Sequence, residues 1–347
     1  SFGREIFIEI VIIDIIIRLG ESTIYYPTPF KAHYFTGDTV LFNDNKETTR
    51  RKVKVAITGA SGLIGSALVG ELEGRGDQVI RIGRTARREG DVIWNPIEGT
   101  LDPEEIEGVE AVVHLAGETI EGRWTQKKKK KILESRVKGT QLLTQTLQRL
   151  DTPPKVLVSS SAVGFYGNRG DEVLTESSSP GTGFLAEVCK EWEAAAAVPS
   201  ETRLAFARTG IVFTPSGGAL QKLLIPIRLC FGGPLGKGNQ WWPWITLTDE
   251  VRAFQHIINN EIEGPVNLVS PQPLRNQELT KQIAKVLKRP AFLRAPSFAL
   301  RTLLGEMADG LLLSSQRILP EALEASGFQF DSPDLESALN ALGLVKG

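Results

Sequence analysis

Short apolar runs and amphipathic stretches alternate along most of this chain. Val53, Val55, Ala56 and Ile57 form one buried-strand run, and a helix-periodic stretch follows through Leu72. Residues 78–85, 92–94, 111–115, 156–158, 203–213 and 264–270 read as further strands. Between them lie helical patterns. One is N-capped at Thr125 and carries Ile132, Leu133, Val137, Leu142, Leu143 and Leu147 on its apolar face. Another covers 181–197. Strands alternating with amphipathic helices specify an α/β fold with a parallel sheet.

From residue 214 the alternation breaks. An amphipathic helix, a glycine loop, Trp241, Trp242 and Trp244, a helix from Asp249 and a strand at 264–270 follow. A helix stopping before Pro290 and a tail of small helices close the chain. The tryptophans suit a pocket wall and a core beneath a loop equally. The expected architecture is a Rossmann-type doubly wound parallel sheet over 52–213, joined by parts of 246–270. A small mixed substrate-side region occupies 214–347. Ahead of it, residues 6–17 are isoleucine-rich, Pro27 and Pro29 break the next segment, and 43–51 form a polar linker. Residues 1–51 thus read as a β-rich extension too short for its own core. It packs on the main domain, meets a protein partner, or stays loose.

The chemistry concentrates where the first strand meets the first helix. Gly59, Gly62 and Gly65 follow the strand in Thr58-Gly59-Ala60-Ser61-Gly62-Leu63-Ile64-Gly65. Such a turn collects free backbone N–H groups at a helix N-terminus and lets a pyrophosphate approach closely. The second strand ends at Gly83-Arg84, with Arg87 and Arg88 beyond. That tip faces the adenosine ribose in dinucleotide folds. An acid there accepts the 2′-hydroxyl of NAD, whereas Arg84 suits the 2′-phosphate of NADP. His114 ends the next strand and reads as structural more than catalytic. Lys127 to Lys131 reads as a solvated helix face; Lys131 and, further along, Arg136 could reach cofactor phosphates, Arg136 with the better claim because the apolar face flanks it. The strand ending in Ser159-Ser160-Ser161 places hydroxyls above a nicotinamide, and Tyr166 follows in a glycine-rich loop.

Composition narrows the classes. The chain has 347 residues, 41% hydrophobic and 23% charged, with net charge −1. That balance excludes a general nucleic-acid binder. Cys189 and Cys230 form no motif, and with only three histidines a metal site is not expected. No run is long enough to span a membrane, and the 6–17 run carries Glu9 and Asp14. A cytoplasmic, organelle-matrix or stromal location is expected.

Several segments together carry a family likeness: 58–65, 112–118, 123–124 with 134–140, 158–167, 181–193, 217–229, 232–245 and 296–330. Over roughly 52–345 the chain resembles the extended short-chain dehydrogenase/reductases. More narrowly it is similar to the atypical epimerase family, the cell-division inhibitor-like subgroup, which has its own C-terminal domain. The resemblance implies NADP(H) held by Gly59, Ser61, Gly62, Leu63, Ile64 and Gly65. Gly83 and Arg84 would take the adenosine phosphate end, and Leu115 and Ala116 the adenine and ribose. Lys131, Arg136 and Val212 complete the implied set. The substrate would be a small carbonyl or sugar-nucleotide. One departure stands out. Active members carry Tyr-x-x-x-Lys on the helix after the serine strand. Here Lys190 fits the lysine, but Ala186 stands four residues earlier. Ser161, Tyr166 and Lys190 are therefore the candidate catalytic residues, with Ser160 as an alternative to Ser161. The competing expectation is a non-catalytic NADP-binding regulator or structural subunit, linked to division or to an organelle membrane complex.

Overall fold

The computed structural model describes residues 51–345. The extension expected at residues 1–50 lies outside the described residues. From residue 53 onward the chain is one compact unit. Its frame is a sheet of seven strands: β1 Lys54–Thr58, β2 Gln78–Gly83, β3 Val92–Ile93, β4 Ala111–His114, β5 Val156–Ala162, β6 Arg203–Thr209 and β7 Gly264–Leu268. The spatial order is β3-β2-β1-β4-β5-β6-β7, and every pairing is parallel. The order reverses between β1 and β4. The crevice at the carboxyl ends of those strands is where such sheets bind ligands.

The helices are α1 Leu63–Gly74, α2 Gln126–Leu147, α3 Phe184–Ala194, α4 Gly218–Arg228, α5 Leu247–Asn259, α6 Asn276–Val286, α7 Ser297–Leu304, α8 Glu321–Ala325 and α9 Leu335–Ala341. Strand periodicity sorts the core. Val55, Ile57, Val113, Val156 and Val158 face one side, against Leu68 of α1 and Phe254 and Ile257 of α5. Ala56, Val112 and Leu157 face the other, against Leu143 and Leu147 of α2. A sheet covered on both faces needs such near-continuous apolar strands. Truncating a fully buried leucine such as Leu143 would cost about 2–5 kcal/mol.

A second core joins α4, α6 and α9 through Leu224, Leu279, Ile283 and Leu339. Trp242 and Trp244 belong to it, and Trp244 stacks on Phe213 at 5.5 Å. These two tryptophans are core, not pocket wall. The apolar run at 203–213 is not one strand. Gly210 breaks it, and Ile211–Phe213 pairs with Trp244–Thr246 instead of the large sheet. A side chain at Gly210 would put its Cβ 2.7 Å from the Pro243 carbonyl. The helix expected from Asp249 starts two residues earlier, because Thr246 caps it by accepting from Asp249 N at 3.1 Å.

Candidate functional site

The glycine turn lies at the carboxyl end of β1. Gly59 has φ +69°, a left-handed conformation that favours glycine. A Cβ there would also meet the Leu115 carbonyl carbon at 2.8 Å. The Gly62 N–H donates to Gly59 O at 2.9 Å and closes the turn. A Cβ on Gly65 would stand 2.3 Å from Gly59 O, so glycine lets α1 lie directly on the turn. Gly62 is the N-cap of α1 and offers no side-chain cap, and no acid occupies the first turn. The N-terminal N–H groups of α1 therefore lack a side-chain acceptor from the cap. Ser61, Gly62 and Leu63 are exposed, while Ile64 packs on the core.

A buried hydrogen-bond relay fixes this turn. Thr58 Oγ1 accepts from Leu115 N at 3.1 Å and Ala116 N at 3.2 Å. Its own hydrogen then goes to His114 Nδ1, 2.7 Å away. That assigns the remaining proton to Nε2, which donates to Thr140 Oγ1 of α2 at 3.1 Å. Burial pushes the His114 imidazole down to about 4, with a smaller contribution from the Arg136 charge. His114 is thus a neutral strut joining β1, β4 and α2. Thr58 and Thr140 are parts of this site that the sequence patterns did not single out.

The cationic residues gather at one edge. Gly83 ends β2 and Arg84 is exposed just past it. The Glu118 carboxyl is held below its usual range, chiefly by the hydrogen bond from Lys128 Nζ at 2.7 Å. The charges of Lys128, Lys131 and Arg84 also contribute. Arg84 and Lys131, far apart in the chain, therefore act on one carboxylate. Arg136 lies under the same loop. Its Nη1 donates to Glu118 O at 2.9 Å and Ile132 O at 3.2 Å, and its guanidinium stands 4.9 Å from the Trp192 ring. Val212 is half-buried opposite Ile245, and the Gly217–Gly218 segment beyond it approaches Leu63. The structure thus brings Leu115, Ala116, Arg84, Lys131, Arg136 and the Val212 segment around the carboxyl ends of β1, β2 and β4.

The candidate catalytic residues each have partners of their own. Ser161 Oγ donates to Glu193 Oε1 at 2.6 Å. Glu193 is held by Arg208, Nε to Oε1 at 2.9 Å and Nη2 to Oε2 at 2.8 Å. A carboxylate in that bidentate pair only accepts, so the Ser161 hydrogen is committed and only its lone pairs remain. Tyr166 is fully buried. Its hydroxyl donates to Asn267 Oδ1 at 2.7 Å and accepts from Arg208 Nη1 at 2.9 Å. Burial raises its pKa. Lys190 forms an ion pair with Glu187 at 3.0 Å, its side chain 42% exposed. Successive helix residues are about 100° apart, so the neighbouring Cys189, not Lys190, takes the buried face of α3 toward Ser161 and Ala162. Burial pushes the Cys189 thiol up to about 11. Glu193 and Arg208 carry the polar network, and neither stood out in the sequence as a site residue. The available signal was Glu193 four residues after Cys189, on one helix face.

A doubly wound sheet with a glycine turn at its switch point defines a dinucleotide-binding protein of the Rossmann class. Residues 55–269 match the NAD dependent epimerase/dehydratase family, and residues 295–342 match a domain of unknown function, DUF1731. The chain belongs to that epimerase family, with its C-terminal domain. An epimerase family protein of Mycobacterium tuberculosis is 42% identical over 290 residues, covering 82% of this chain and 96% of the relative. A chloroplastic SDR39U1 homolog of Arabidopsis thaliana is 36% identical over 333 residues, 92% of this chain and 94% of its own. The crystal structure of human epimerase family protein SDR39U1 with NADPH aligns with TM-score 0.79 at 31% identity. It covers 84% of this chain and 99% of the human one. Among the described residues no helix is long and apolar enough to cross a membrane.

Proposed function

We propose that this chain binds NADP(H) across the Gly59–Gly65 turn and acts as an oxidoreductase- or epimerase-like protein on a small carbonyl or sugar-nucleotide. The observation carrying the proposal is the turn itself. Its glycines leave no room for a Cβ at positions 59 and 65, and the cap of α1 offers no side-chain acceptor. Those features fit a pyrophosphate. In this reading Arg84 meets the adenosine 2′-phosphate, and Lys131 and Arg136 support the phosphates. Leu115 and Ala116 line the ribose and adenine, and Val212 lies beside the nicotinamide. The human relative crystallised with NADPH supports the choice of cofactor. Bound NADP(H) would supply or accept a hydride. Residues 52–213 would hold the cofactor, and 214–347 would shape the substrate side. A stromal or matrix location agrees with the chloroplastic relative.

The proton-transfer groups support a second reading, a nucleotide-bound regulator or structural subunit. Ser161 has its hydrogen on Glu193, Tyr166 is sealed in the core, Lys190 faces solvent, and Ala186 transfers no proton. With that arrangement Ser161 accepts from an alcohol or amide N–H and does not donate to a carbonyl. Calorimetric titration with NADPH and NADH tests the binding proposal. Arg84→Ala should weaken NADPH by about 1.5–3 kcal/mol, the value of a charge-assisted contact, and leave NADH nearly unchanged. Equal losses would refute the Arg84 assignment. Turnover of any member of a carbonyl and sugar-nucleotide panel would decide for the enzyme.

A further inference from the structure

Ten large hydrophobic side chains are exposed among the described residues, and five of them share one place: Leu229, Phe231, Phe292, Leu293 and Phe298. Two loops, one after α4 and one after α6, bring them together. Leu293 N donates to Gly232 O at 3.2 Å, Ala295 N to Pro234 O at 3.1 Å, and Gly236 N to Ala295 O at 2.8 Å. Phe292 is 71% exposed and Phe298, on α7, is 52% exposed. The only non-glycine residues with positive φ among the described residues are Cys230 and Lys288, at φ 65° and 52°. Each sits at the end of the helix leading into one of these loops. Side chains other than glycine carry a strain there, and both loops accept it.

The two chain segments that form the patch carry cations and no acid. Residues 279–305 contain Lys281, Lys285, Lys288, Arg289, Arg294 and Arg301 and no acid, and residues 217–244 contain Lys222, Arg228 and Lys237 and no acid. Lys222 and Arg301 are paired, with Glu121 and Asp309. Arg228, Lys288, Arg289 and Arg294 are exposed and make no ion pair among the described residues. Aromatic and aliphatic loop tips ringed by free cations match the interface of an anionic bilayer, where apolar groups enter the acyl boundary and cations meet headgroups. A second copy of the chain would bring like charges together.

We infer that this patch docks the protein peripherally on an anionic membrane surface. The occupant is phospholipid with a net negative headgroup, not a soluble partner. The full chain should sediment with vesicles containing phosphatidylglycerol, but not with pure phosphatidylcholine, and salt at about 0.5 M should release it. Arg289→Ala and Arg294→Ala should each lower partitioning about fivefold, the equivalent of about 1 kcal/mol per cation near such a surface. A combined Phe231→Glu, Phe292→Glu, Phe298→Glu variant should abolish sedimentation while keeping its unfolding temperature and NADPH affinity. The inference fails if the full chain ignores anionic vesicles at low salt. It fails equally if the combined variant still sediments, or if the patch variants lose only a soluble protein partner.

Discussion

The His114 strut makes a pH dependence that can be worked out in advance. The imidazole is pushed down to about 4 in the folded protein from an ordinary 6.5. Between those values the unfolded chain binds the proton and the folded chain does not. Stability from this group is therefore complete above pH 6.5 and is lost as pH falls toward 4. A shift of about 2.5 pH units at about 1.36 kcal/mol each amounts to roughly 3 kcal/mol. The proton is unwelcome for a structural reason. Nδ1 already accepts the Thr58 hydrogen, and protonating it would turn two donors on each other. Urea unfolding of wild type and His114→Asn between about pH 7.5 and 4.5 measures the effect. The variant should be less stable at about pH 7.5 by about 1–3 kcal/mol through its lost hydrogen bonds. Its disadvantage should shrink by about 2–3 kcal/mol at about pH 4.5. Comparing the two proteins cancels every other titrating group. Parallel stability curves would refute the reasoning, as would an imidazole resonance titrating near 6.5.

Other substitutions probe the rest of the frame. Gly65→Ala should cost about 1–3 kcal/mol of stability, as overpacking does, and lower NADPH affinity, because its Cβ meets the Gly59 carbonyl; unchanged calorimetric binding would contradict the close approach. Glu250 is fully buried, accepts from Thr209, and has its carboxyl raised to about 8 by burial. The folded protein keeps a proton there that the unfolded chain loses from pH 4.5 upward, so this stability is complete below 4.5 and gone above about 8. Glu250→Gln should gain on wild type between about pH 5 and 9 by on the order of a few kcal/mol in denaturant melts. Arg208→Leu leaves the Glu193 carboxylate buried without its partner and should cost about 3–5 kcal/mol, measured by the same melts.

The pattern of apolar runs was enough to specify an α/β doubly wound sheet, and the glycine spacing was enough to place the tight strand-to-helix turn at the end of β1. Both are local signals: strand and helix periods differ, and a strand–glycine–helix junction leaves few backbone solutions. The tip of β2, with Arg84, was legible because it follows directly from strand length. What only the tertiary structure decided was which side chains meet. Trp242 and Trp244 were ambiguous in sequence, and packing of α4, α6 and α9 put them in a core. Lys190 and Cys189 are adjacent in the chain, yet a helical rotation gave the buried face to Cys189. His114 read as structural at its strand end, and β1 and α2 supplied Thr58 and Thr140 as its partners. Ser161 was legible as a strand-end hydroxyl, but that its hydrogen goes to Glu193, itself held by Arg208, depended on α3 and β6. Sequence sets the period and therefore the face of each element. The direction of a proton in a buried hydrogen bond depends on partners that arrive from distant strands and helices.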